Sequence, residues 1–167
     1  METKPAVYYD ESRQTLLNSG DKMITEPFPP QLDEILETFE DLEDWEERYD
    51  FIIEMGRKLP EIEAQHQSKQ NIVEGCMSTV WLITRHNPAD PERIEIIADS
   101  DSIIVKGLIV ILLAALSDKT AEEIVSYNVE DLFTKLGLNQ HLSPNRRNGL
   151  FSMVKRIRQL AVEQSAA

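Results

Sequence analysis

Apolar residues fall at helical spacing from position 32 onward, with Leu32, Ile35, Leu36 and Phe39 recurring three and four apart. After Asp41 a second run carries Leu42, Trp45, Tyr49, Ile52 and Ile53 on one side and acids on the other. It predicts another helix, closed by Gly56 and Pro60. Positions 61–69 are polar and predict a loop. The period then changes. Ile72 and Val73 make a short extended stretch, and TVWLIT at 79–84 is rich in β-branched and aromatic residues. Ile94, Ile96 and Ala98 alternate with polar or surface positions. All three stretches predict strands. The two longer ones are joined by HNPADPE at 86–92 and predict an antiparallel pair.

The remainder reads as helix. SIIVKGLIVILLAAL at 102–116 is apolar nearly all round, so it predicts a buried helix. It is short for a bilayer and contains Lys106. Thr120 and Glu123 form a capping-box pattern ahead of Ile124. Asn128 and Asp131 open a further short helix, which Gly137 is placed to stop. Ser143 before Pro144 has the form of an N-cap with proline in the first helical position. The last helix carries Leu150, Val154, Ile157 and Ala161 on one face. Residues 1 to about 28 show no clear periodicity, and EPFPP at 26–30 cannot continue a helix. The expected division is a loose N-terminal extension over 1–30 and one domain over 31–167. Helices, then strands, then helices imply an α+β fold, a small antiparallel sheet of about three strands flanked by helices.

Composition narrows what such a domain does. At 167 residues, 41% of them hydrophobic, the chain can bury one real core. Its formal net charge of −13 opposes contact with nucleic acid. METKPAVYYDES at the start has acids and no apolar signal core, so neither a secretory signal nor a transit peptide is expected. The expected location is cytoplasmic, with no membrane partner. The charge is unevenly spread. Positions 33–54 hold many acids and one base, Arg48, whereas 146–158 hold Arg146, Arg147, Lys155, Arg156 and Arg158 and no acid. Two solvated helix faces would explain this, and so would a face that docks on a charged partner.

One cysteine, Cys76, removes several chemistries. An intrachain disulfide is impossible. A zinc site needs several clustered Cys or His ligands, and His66, His86 and His141 are scattered. An iron–sulfur cluster held by this chain alone needs more thiolates. Gly75 before Cys76, with a strand soon after, places the thiol on a loop tip at the sheet edge. Two readings of Cys76 remain open at this point: an inert buried cysteine, or a reactive thiol. A cysteine–histidine peptidase is a further alternative, but none of the three histidines sits in a peptidase signature. The acids of DSDSIIVKGL at 99–108 read as helix caps, since Asp and Ser satisfy free backbone amides. Arg146 and Arg147 lie in a first helical turn, where the dipole disfavours cations. They call for an ion pair or a partner contact.

Three separated motifs, NIVEGCMSTVW at 71–81, DSDSIIVKGL and HLSPNRRNGL at 141–150, together resemble the SufE/CsdE family of sulfur-acceptor proteins. LP at 59–60 and LGL at 136–138 also fit, and the resemblance covers about residues 32–163. It implies a fold similar to the iron–sulfur scaffold IscU and no cofactor or metal held by the chain itself. It implies a pyridoxal-phosphate cysteine desulfurase of the SufS or CsdA type as donor, and a SufBCD-type iron–sulfur scaffold as recipient. Cys76 matches the cysteine that carries the persulfide, on a loop that packs inward when free and swings out to react. Asp101 and Arg146 match supporting polar positions near that loop. Ser102 stands where the family often has Ala, and Met77 where a polar residue is common, which leaves the choice of desulfurase open. Two other functions compete: a binding module that regulates the desulfurase without accepting sulfur, and a scaffold like IscU, which a single cysteine opposes.

Overall fold

A computed structural model of the chain describes residues 7–10, 15–18 and 23–166. Three short strands come first: β1 (Val7–Asp10), β2 (Thr15–Asn18) and β3 (Met23–Pro27), paired antiparallel in that order. The expectation of a loose extension, where it concerns residues 1–6, 11–14 and 19–22, lies outside the described residues.

Helix α1 (Leu32–Asp41) buries Ile35 and Phe39, and α2 (Trp45–Lys58) buries Ile52, Met55 and Gly56. Asp44 caps α2 by accepting from Glu47 N at 2.9 Å. Glu46 and Glu47 in its first turn and Arg57 and Lys58 in its last complement the helix dipole. Gly56 does not end this helix, as its sequence position suggested, but lies inside it. A Cβ there would stand 2.6 Å from Ile103 O, so the glycine serves close helix contact, not termination.

Strand β4 (Val80–His86) pairs antiparallel with β5 (Arg93–Ser100) in unbroken register, from Val80 opposite Ser100 to His86 opposite Ile94. The expected antiparallel pair is present, but the third strand is not the one the sequence marked. Ile72 makes only an isolated bridge to Trp81. The third strand is β6, the two residues Lys119–Thr120, which pair with Ile94 and Arg93 beyond α3 (Ile103–Leu116). Two residues are too few to show alternation, so the pattern could not reveal them.

Helix α3 is buried on nearly every side because it packs between α2 and β5. Its contact with α2 runs through Gly107, where a Cβ would lie 2.1 Å from Ile52 O. Lys106 is the one charged residue on this helix. Its ammonium stands 3.6 Å from the buried Asp99 carboxylate.

After β6 come α4 (Ala121–Ser126), α5 (Val129–Lys135), α6 (Leu138–His141) and α7 (Pro144–Ala166). The capping box of α4 is formed in both directions, Glu123 N to Thr120 Oγ1 at 3.2 Å and Thr120 N to Glu123 Oε2 at 3.1 Å. Asn128 caps α5 through Asp131 N, and Gly137 follows with φ +70. Ser143 Oγ accepts from Arg146 N at the start of α7. Helix α7 buries Leu150, Met153, Val154, Ile157 and Ala161, and Thr84 on β4 donates to its Gln164. The result is an α+β layer in which α7 packs against β4 and β5. Among the described residues no helix is long and apolar enough to cross a membrane.

Candidate functional site

Cys76 sits on a short loop pinned at both ends by backbone hydrogen bonds. Upstream, Val73 N donates to Val80 O at 2.8 Å. Downstream, Thr79 is held three ways: its N–H donates to Asp101 Oδ1 at 3.1 Å, and its carbonyl accepts from Ser100 Oγ at 2.8 Å and Asp101 N at 3.3 Å. Glu74, Gly75, Cys76, Met77 and Ser78 span the gap. The loop folds down on α7. Gly75 has φ +91, a conformation side chains rarely adopt, and a Cβ on it would meet Ser152 Oγ at 2.5 Å. Its place before the cysteine therefore rests on both backbone and space.

The Cys76 side chain is partly buried, and Sγ stands 3.5 Å from Gly149 O, to which the thiol donates. Burial pushes the Cys76 thiol up from its ordinary value. In this arrangement burial favours the protonated thiol over the thiolate. Its neighbour Met77 is turned outward and 83% exposed, so the loop tip reaches solvent immediately beside the Cys76 thiol.

Asp101, expected as a support, is brought to the loop and acts on it through Thr79. It does not cap α3, and neither does Asp99. The cap is Ser102, which accepts from Val105 N. The Asp99 carboxylate is buried and accepts from Ile62 N and Ser100 N, tying the segment after α2 to the end of β5. Arg146 is exposed on the first turn of α7, and among the described residues its guanidinium makes no hydrogen bond or ion pair. It lies three positions ahead of Gly149, and no hydrogen bond or ion pair joins it to Cys76 or Asp101. Arg147 answers the dipole question differently, by reaching back to Asn139 O in α6 at 3.0 Å.

Among the described residues no hydrogen bond joins a histidine to the thiol, whose one partner is Gly149 O. His86 Nδ1 faces Pro91 O, and His141 stacks on Trp45 with ring centroids 3.9 Å apart. Among the described residues no group of three or more His, Cys, Asp or Glu is placed to hold a metal ion. A cavity of about 190 Å³, lined by Arg85, Arg93, Glu95 and Lys119 among others, lies at the opposite end of the sheet and shares no residue with the Cys76 loop. Sequence reasoning missed Thr79, Ser100, Gly149 and Ser152. Gly149 had a visible signal, a glycine inside a helix, whereas the others are ordinary polar residues until the loop is folded over them.

Comparison with known proteins bears on this site. Residues 33–161 match the family model described as SufE, Fe-S metabolism associated domain. The chain is 46% identical over 142 residues to an uncharacterized SufE-like protein of Rhizobium etli, covering 84% of this chain and 95% of that one. It is 44% identical over 129 residues to an uncharacterized SufE-like protein of Rhizobium meliloti, covering 76% and 91%. Its fold is similar to the solution structure of a hypothetical protein from Thermus thermophilus, with a TM-score of 0.66 at 18% identity, over 83% and 98% of the two chains. That last likeness speaks for the fold alone.

Proposed function

The chain belongs to the SufE family, associated with iron–sulfur metabolism, and from that premise we propose that it carries sulfur as a persulfide on Cys76. The donor is a pyridoxal-phosphate cysteine desulfurase, and the recipient is an iron–sulfur assembly scaffold, both in the cytoplasm. The observation that carries the reading is the loop: the chain's one thiol stands on five residues pinned at both ends, beside solvent, with its side chain resting on α7.

The chemistry needs one thiol from this chain. The Cys76 thiolate attacks the outer sulfur of the desulfurase persulfide. The S–S bond there breaks, and the desulfurase cysteine leaves as a thiolate. Sulfur has moved without net oxidation, and the new persulfide on Cys76 is open to the same attack by the next acceptor. Before the first step Cys76 must lose its proton, which burial disfavours, so the thiol reacts after it leaves the Gly149 carbonyl. Asp101 keeps the downstream anchor at Thr79 fixed while the intervening residues move. Arg146, exposed and with no hydrogen bond or ion pair from its guanidinium among the described residues, is placed to meet an acidic group of the donor. Charge on α7 then steers the encounter, and raising the salt concentration slows association more than it speeds release.

The test is intact-protein mass after mixing with a cysteine desulfurase and free cysteine. Wild type gains one sulfur, about 32 Da, and Cys76→Ser gains none. Stimulation of the desulfurase that survives Cys76→Ser would instead make the chain a regulator that binds without accepting sulfur.

A further inference from the structure

Gly149 is buried inside α7, and its backbone is ordinary helix, with no positive φ to require a glycine. A glycine there weakens the helix relative to alanine, so its advantage is to be sought in space. A Cβ built on it would lie 3.5 Å from Cys76 Sγ, 3.8 Å from Cys76 Cα and 3.9 Å from Cys76 Cβ. All three nearest atoms belong to Cys76, so the bare position acts on that residue before any other. At these distances a methyl group would only touch the reduced thiol. The loaded thiol differs. Its outer sulfur stands about 2 Å beyond Sγ, and non-bonded contact needs roughly 3.5–4 Å. A methyl beside Sγ would crowd an outer sulfur turned toward α7.

We infer that Gly149 is a positioning residue for the persulfide: it leaves room beside Sγ for the outer sulfur to lie against α7, and a side chain there turns that sulfur out to solvent. This rests on the reading of Cys76 as the sulfur carrier and adds a residue to it. The room is needed only by the loaded form. A role in the fold alone would affect reduced and loaded protein alike.

The test loads Cys76 with inorganic polysulfide, so that it does not depend on a desulfurase. The thiolate attacks a polysulfide sulfur, an S–S bond breaks, and a shorter polysulfide leaves. Cyanide then removes the outer sulfur as thiocyanate and returns the Cys76 thiolate. Loaded Gly149→Ala is expected to release thiocyanate about five times faster than loaded wild type or more, a barrier difference of the size one lost contact makes. Iodoacetamide alkylation of the reduced variant should stay within about twofold of wild type, since the methyl group only touches the thiol. Its melting temperature should be no lower. Equal thiocyanate rates overturn the inference. So does alkylation that accelerates in step with thiocyanate release, because the methyl would then have opened the whole loop. Should the variant not fold, wild type decides: native loaded protein must react with cyanide more slowly than the same protein unfolded in urea, and equal rates overturn the inference. Failure of a desulfurase to load Cys76 would strike the carrier reading and leave this measurement standing.

Discussion

Two places in the molecule depend on glycines, and they differ in what the glycine faces. Between α2 and α3, Gly56 and Gly107 bring backbone against backbone, with a Cβ at Gly107 only 2.1 Å from Ile52 O. Where the Cys76 loop meets α7, Gly75 and Gly149 face side chains, Ser152 Oγ and the Cys76 thiol, and the closest approach at Gly149 is 3.5 Å. Backbone in a packed core cannot yield without moving a whole helix, whereas a hydroxyl or a thiol on a loop can turn aside. The first contact fixes the fold. The second seats a loop against α7 through side-chain contacts and not through backbone against backbone.

The largest effect should come from the core. Gly107→Ala forces α2 and α3 apart and is expected to cost about 3 kcal/mol, read by urea unfolding. A loss below about 1 kcal/mol would mean that the helices slide freely, and the contrast would collapse. Gly75→Ala should cost about 1–2 kcal/mol through its positive φ. It should also raise the alkylation rate of Cys76, because Ser152 pushes the loop off α7. Adding Ser152→Gly should restore the slow alkylation but not the stability, since φ is unchanged. Asp101→Asn removes the charge at the Thr79 anchor and should raise the alkylation rate by a factor of a few, at a stability cost of about 1 kcal/mol or less. An unchanged rate would show that Ser100 and the Asp101 backbone hold the anchor without the carboxylate.

The smallest effect is on pH. Because burial raises the Cys76 pKa, alkylation of the native protein should reach its half-maximal rate at a higher pH than alkylation of the urea-unfolded chain. The folded state keeps this proton longer than the unfolded state does. The thiol's contribution to stability is therefore whole below the ordinary thiol range. It declines as pH rises from the unfolded pKa toward the folded one. Coincident midpoints would show a thiol that is free in the native state.

What the sequence determined by itself are the elements whose causes are local. The capping box at Thr120 and Glu123, the cap at Asn128, and the Ser143–Pro144 start of α7 each involve residues within one helical turn, and each stands where it was expected. Helix α3 was legible because a run apolar on every side has nowhere to go but inside. The family was legible in three motifs, and with it the α+β class. Tertiary structure alone decided the rest. That Gly56 joins helices and does not end one depends on Gly107, about fifty residues later. That the third strand is Lys119–Thr120 and not Ile72–Val73 depends on where α3 returns the chain. Asp99 and Asp101 have the pattern of caps, yet they bind Ile62 and Thr79, distant along the chain and brought close only by the tertiary fold. The state of Cys76, partly buried and resting on Gly149 O, belongs to the same class. Burial is a property of what lies across from a residue, and no spacing along one chain segment specifies it.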